Sequence, residues 1–171
     1  TKIRKVGGDN PDAEYDNIAL DNRWDYVIRG NVGTVRHVSF TINASRGADG
    51  RAGKLGYFNE RTLEPDENGD FEIHLTKQDD GGPNWVDTSP GINSILVRQY
   101  IGDRDEEVLA TYEATVVGRE PDDEIPYSTD REVATAIAGA TYGMQYMLTM
   151  HRTLMPELWA NPNSFARANS D

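Results

Sequence analysis

Residues 34–42 read Thr34-Val35-Arg36-His37-Val38-Ser39-Phe40-Thr41-Ile42. Val38, Phe40 and Ile42 take one parity, and His37, Ser39 and Thr41 take the other. A strict period of two, carried by β-branched and aromatic residues, is the pattern of a strand with one face in a core and one toward water. Phe71, Ile73 and Leu75 alternate with Glu72, His74 and Thr76 in the same way. Trp24 to Arg29 and Leu109 to Val117 are further β-type runs, the second with Tyr112, Ala114 and Val116 on one face. Glu14 to Leu20 and Ala52 to Phe58 complete the set. Ser94 to Ile101 differs from the rest. Ile95, Val97 and Ile101 share one parity, Leu96 and Tyr100 the other. Both faces are apolar, so this strand is expected to be central in its sheet or covered on both sides.

Turn chemistry separates these runs. Asn31-Val32-Gly33, Ala48-Asp49-Gly50 and Glu67-Asn68-Gly69 each place Gly where a reversal needs positive φ. No helical pattern lies between the strands, which argues against parallel βαβ units. The expected fold is mainly β: an antiparallel, jelly-roll-like β-sandwich over residues 1–120. An acidic, Pro-containing linker follows at 121–128.

The pattern changes after Pro126. Thr129-Asp130-Arg131-Glu132 is a capping box, and Val133, Ile137, Ala140, Met144, Leu148, His151 and Met155 then recur every three or four residues. This predicts a long amphipathic helix over 129–160, with Pro156 as a kink or stop and Asn161-Pro162-Asn163 ending it. Residues 161–171 form a tail. All four Met residues, Met144, Met147, Met150 and Met155, lie in this helix. Met-rich faces adapt to varied partners. Met144, Met147, Leu148, His151, Leu154 and Met155 are therefore the candidate interface for a homo-oligomer or a complementary chain.

Composition narrows the function. The chain has 171 residues, no Cys, and 29 acidic against 17 basic side chains, for a net charge of −12. Thiol catalysis and disulfides are excluded. A nucleic-acid partner needs a basic face and an anionic membrane needs basic residues, and neither fits this charge. No apolar run approaches the ~20 residues of a membrane span. No apolar signal segment opens the sequence, so a cytoplasmic protein is expected. The acids cluster beside Gly, Pro and Asn, as in solvated turns, whereas residues 129–171 carry only 4 acids and 3 bases.

Four segments, in order, resemble one known family. They are Asn10-Pro11-Asp12 with Tyr15; Arg29-Gly30 leading to Val38-Ser39-Phe40; Gly82-Pro83-Asn84-Trp85; and Ser94-Ile95-Leu96-Val97-Arg98-Gln99-Tyr100. The tail step Asn161-Pro162-Asn163-Ser164-Phe165 after a long helix fits as well. Together they resemble the domain of unknown function 1214 family, over about residues 8–168. The resemblance implies a jelly-roll sandwich and little chemistry. Family members are longer at both ends, so this chain is expected to be a compact or truncated member.

The residues themselves offer few catalytic constellations. No Gly-x-Ser-x-Gly elbow occurs. His37, His74 and His151 fall in no metal or triad motif, and neither metal nor cofactor is expected. His37 and His74 lie on the polar parity of their strands and read as exposed, His151 as a core or interface side chain. Asp66-Glu67-Asn68-Gly69-Asp70 alternates acids like a calcium loop, but its Gly comes too early and position twelve is Lys77, so a tight turn is expected.

The richest segment is 81–98. Asn84 and Trp85 sit in a loop before the doubly apolar strand, where a Trp either stacks on a ligand or plugs the sandwich end. Arg98 is a charge inside that strand, on the parity of Leu96 and Tyr100, and must be paired. Its partner is an acid from the loops or an anionic ligand group. Arg36, on the parity of Val38 and Phe40, and Tyr26 complete the candidate ligand-binding set of Arg98, Trp85, Asn84, Arg36, Tyr26 and Tyr100. If these converge on one cleft, the site is aromatic and basic, suited to a small organic acid or a sugar. Three readings stay open on sequence alone: a small-molecule or carbohydrate binding module, a structural protein assembled through its helix, and an enzyme acting on a small organic or glycosylated metabolite.

Overall fold

The computed structural model describes residues 10–46, 52–119 and 128–160. The chain divides into two compact units, 1–121 and 122–171. In the first unit the strands are β1 (Ala13–Ala19), β2 (Tyr26–Asn31), β3 (His37–Arg46), β4 (Ala52–Phe58), β5 (Asp70–Thr76), β6 (Val86–Asp87), β7 (Ile92–Tyr100) and β8 (Thr111–Val116). They form two four-stranded sheets. Sheet A has the order β1-β7-β3-β4 and is antiparallel throughout; sheet B has the order β6-β5-β2-β8. Among the described residues only the two-residue β6 pairs in parallel, with β5, and an element so short carries no strand periodicity. Most consecutive strands lie in opposite sheets, which is the jelly-roll-like habit of the expected sandwich.

The period-two faces meet as anticipated. Val38, Phe40 and Ile42 of β3 and Ile95 and Val97 of β7 face Ile28 of β2 and Phe71, Ile73 and Leu75 of β5 in one buried core. Phe40 joins the sheets: its ring centroid is 5.2 Å from Phe71 and 5.7 Å from Tyr112 of β8, the latter edge-on. Burying such a side chain is worth about 1.5–3 kcal/mol. The one buried polar residue of β7 is Gln99. It acts as a surrogate strand, accepting from the Ala110 N–H at 2.8 Å and donating to the Ala110 carbonyl at 3.2 Å.

β7 is central, as its composition required. Its outer face is less covered than expected: Leu96 and Arg98 are half-buried and Tyr100 is exposed. The Asp66–Asp70 segment is a turn. Asp66 spends one carboxylate oxygen on the backbone N–H groups of Asn68 and Asp70, at 2.8 and 2.9 Å. The Ala48-Asp49-Gly50 turn, the 121–127 part of the linker and the 161–171 tail lie outside the described residues.

The second unit contains α1 (Asp130–Ala160), 31 residues long, or about 46 Å. Its capping box forms reciprocally. The Thr129 N–H donates to Glu132 Oε2 at 2.7 Å, and the Glu132 N–H to Thr129 Oγ1 at 3.3 Å. Pro156 does not end the helix, which continues for four residues to Ala160. Among the described residues no helix is long and apolar enough to cross a membrane.

Candidate functional site

The candidate ligand residues do not converge on one cleft. Tyr26 points into the core of sheet B, and its hydroxyl accepts the Asp21 N–H at 2.9 Å. Arg36 lies just before β3 and is exposed, 3.6 Å from the Glu107 carboxylate, so its parity with Val38 does not carry it into the interior. A guanidinium at a strand's entry reaches water more cheaply than the core. Asn84, held at a φ of +52°, is a structural clamp. Its Oδ1 accepts the Glu64 N–H at 2.9 Å, and its Nδ2 donates to the Glu72 carbonyl at 2.8 Å. Trp85 donates its indole N–H to Thr76 Oγ1 at 2.8 Å, pinned at the end of β5.

Arg98 and Tyr100 do come together, on the outer face of sheet A. Pairing register explains which neighbours they meet. Arg98 sits opposite Tyr15 of β1 and opposite Ser39 of β3; Tyr100 sits opposite His37. The Arg98 guanidinium lies 5.8 Å from the centre of the Tyr15 ring, within cation–π range. The His37 and Tyr100 rings are 5.4 Å apart. His37 is itself held by Glu60, whose Oε2 is 2.7 Å from Nδ1. Glu60's own backbone N–H, opposed by slight burial and reinforced by His37, keeps its carboxyl below the ordinary value. A hydrogen bond with Tyr15, then burial, pushes the Tyr100 phenol above its ordinary value.

Two features of this face are unusual. Arg98 is half-buried on the central strand of a chain with a net charge of −12, yet no carboxylate among the described residues pairs with it. Beside it, Ser39 is only 1% exposed, and the hydroxyls of Ser39 and Thr41 are closed off without a hydrogen-bond partner. Buried hydroxyls are normally satisfied, because leaving one unmade costs about 1–3 kcal/mol. Tyr15, His37 and Ser39 therefore flank Arg98 and Tyr100, and none of them is among the candidate ligand residues read from sequence. Parity alone places His37 and Ser39 on one face; only the β1-β7-β3 order brings that face to Arg98.

Elsewhere, an open groove of about 520 Å³ is walled by Pro65, Phe71 and Pro83 and rimmed by Glu64, Asp70 and Glu72. A pocket of about 160 Å³ lies among Val32, Val35, Val38 and Leu63 with Glu60 at its edge. Neither includes any candidate ligand residue. Among the described residues no group of three or more His, Asp or Glu side chains is arranged to hold a metal ion.

On α1, Met144 is 67% and Leu148 62% exposed, and His151 is exposed. Met147 and Met155 are half-buried, and the side chain of Leu154 lies outside the description.

No family model matches the chain, and no curated protein matches it. The chain is similar to the crystal structure of an uncharacterised protein from Burkholderia cenocepacia, with 32% identity and a TM-score of 0.60. The match covers 72% of this chain and 34% of that one, so this chain spans about a third of its structural neighbour's length.

Proposed function

We propose that this chain is a small-molecule binding module whose site is the outer face of sheet A around Arg98. The observation that carries the reading is Arg98 itself. The residue is half-buried on a central strand, has no carboxylate partner among the described residues, and sets its guanidinium over the Tyr15 ring. Withdrawing a guanidinium from water without a counter-charge is costly. A ligand anion or polar group seated on this face beside the hydrogen-bonded Tyr15 and Tyr100 would offset that cost. We also propose, from the four ordered segments quoted above, that the chain is a relative of the domain of unknown function 1214 family.

The test is a thermal-shift and chemical-shift screen against sugars and small organic compounds, run on wild type, Arg98→Met, Tyr100→Ala and Trp85→Phe. Ligand-induced stabilisation should disappear in the first two variants and persist in Trp85→Phe. Equal responses from Arg98→Met and wild type would remove this site.

A second reading has its own support. Val133, Ile137, Met144 and Leu148 recur at four-, seven- and four-residue steps on one face of α1, and all are exposed. An apolar stripe of this kind is suited to a second copy of the helix. Light scattering should then give a mass well above 19.1 kDa, returned to the monomer value by Met144→Asp with Leu148→Asp. A monomer at high protein concentration would rule assembly out.

A further inference from the structure

We infer that the outer-face site takes a carboxylate attached to a six-membered ring, paired with Arg98 and with the ring against Tyr15 or Tyr100. This rests on the reading of that face as a ligand site and names the ligand's chemistry.

Two independent features define the ligand. The first is charge. A guanidinium presents N–H donors in a planar fork that matches a carboxylate, and Arg98 has no such partner among the described residues. A neutral ligand would leave it uncompensated.

The second is the ring surfaces. Tyr15 and Tyr100 lie on the same sheet face as Arg98, on adjacent antiparallel strands, with Tyr15 directly across from it and Tyr100 two residues along. Aromatic faces beside a cation suit a planar ring or the apolar face of a pyranose. His37 packs at a tilt beside Tyr100 and is fixed by Glu60, so this side of the platform is held in place.

The shared chemistry has two sources, an aryl carboxylate and a uronic acid. Calorimetric titration would use benzoate and glucuronate, with benzyl alcohol, methyl glucoside and inorganic phosphate as matched controls. At least one carboxylate should bind at least tenfold more tightly than its neutral counterpart, and phosphate, which can pair with Arg98 but has no ring, should bind more weakly than that carboxylate. Which carboxylate wins identifies the source. Arg98→Gln should erase the preference.

Neutral and charged ligands binding equally, in a manner sensitive to Tyr15→Ala, would overturn the carboxylate while leaving a ligand site. No binding by any compound would remove both.

Discussion

Tyr112 of β8 donates its phenolic hydroxyl to Asp16 of β1 at 2.5 Å. The bond joins the edge strand of sheet B to the edge strand of sheet A, on the side where the two sheets would otherwise part. Burial first, and then the Asp16 carboxylate, push the Tyr112 phenol far above its ordinary value, so the proton stays on Tyr112 and the donor is always present. The same ring packs edge-on against Phe40. Tyr112→Phe keeps that packing and removes only the donor. Hydrogen bonds to charged groups contribute about 1.5–3 kcal/mol. The variant should unfold about 1–2 kcal/mol more easily, a fall of several degrees in melting temperature. Asp16→Asn retains an acceptor and should lose less. Equal stability of Tyr112→Phe and wild type would mean the sheets are held by apolar contact alone.

His74 makes the stability of sheet B depend on pH. Its Nδ1 is 2.8 Å from Asp80 Oδ2, and its Nε2 is 3.0 Å from Glu72 Oε2. Ionised carboxylates only accept, so both ring nitrogens must carry protons to satisfy both bonds. Burial opposes that charge and is the largest single influence, but the bonds to Asp80 and Glu72 outweigh it and raise the pKa above its ordinary value. A group that holds its proton more tightly when folded adds its full stability below the unfolded value, about pH 6.5. That contribution is lost as pH rises through the folded value. Wild type should therefore lose melting temperature from about pH 6.5 upward, and His74→Gln should flatten that part of the profile. The carboxylates act in the opposite direction. Hydrogen bonds from His74 lower both Glu72 and Asp80, so their share is lost only as pH falls through their depressed values. A His74→Gln profile parallel to wild type above pH 6.5 would show that the clamp contributes nothing.

What could be read from sequence followed from what each signal encodes. Alternation at 37–42 and 71–76 reports which side chains share a face, and Phe40 and Phe71 meet because each is on the apolar parity of its strand. The Thr129–Glu132 box is local, so its reciprocal bonds were legible from four residues. Strand order is not local. Nothing near Arg98 in sequence indicates that Tyr15 and Ser39 flank it, since those residues lie 83 and 59 positions away and meet it only through register. Parity also misplaces residues at strand ends. Arg36 shares the phase of Val38, but the strand begins at His37, and one step outside it the side chain turns to solvent and Glu107. Asn84 misled for a different reason. A polar residue beside a Trp resembles a ligand contact, and its actual partners are backbone groups of Glu64 and Glu72.

Gly30 gives a physical reason for one of the quoted motifs. It sits on β2, between β5 and β8, paired with Phe71 on one side and Tyr112 on the other. A Cβ built there would lie 1.9 Å from the Thr111 carbonyl oxygen and 2.9 Å from the end of the Phe71 ring. The ring can turn, but the carbonyl belongs to the backbone at the start of β8 and cannot retreat without breaking the β2–β8 ladder. Overpacking costs typically 1–3 kcal/mol, and a backbone clash in a central strand lies at the upper end. Gly30→Ala should lose about 3 kcal/mol, on the order of 10 °C in melting temperature. Gly53 on β4 is the control. A Cβ there meets only the Ala44 methyl at 3.5 Å, an ordinary contact, so Gly53→Ala should be neutral or slightly stabilising through the unfolded chain. Equal tolerance of alanine at both positions would show that β8 does not approach β2 as closely as this register requires.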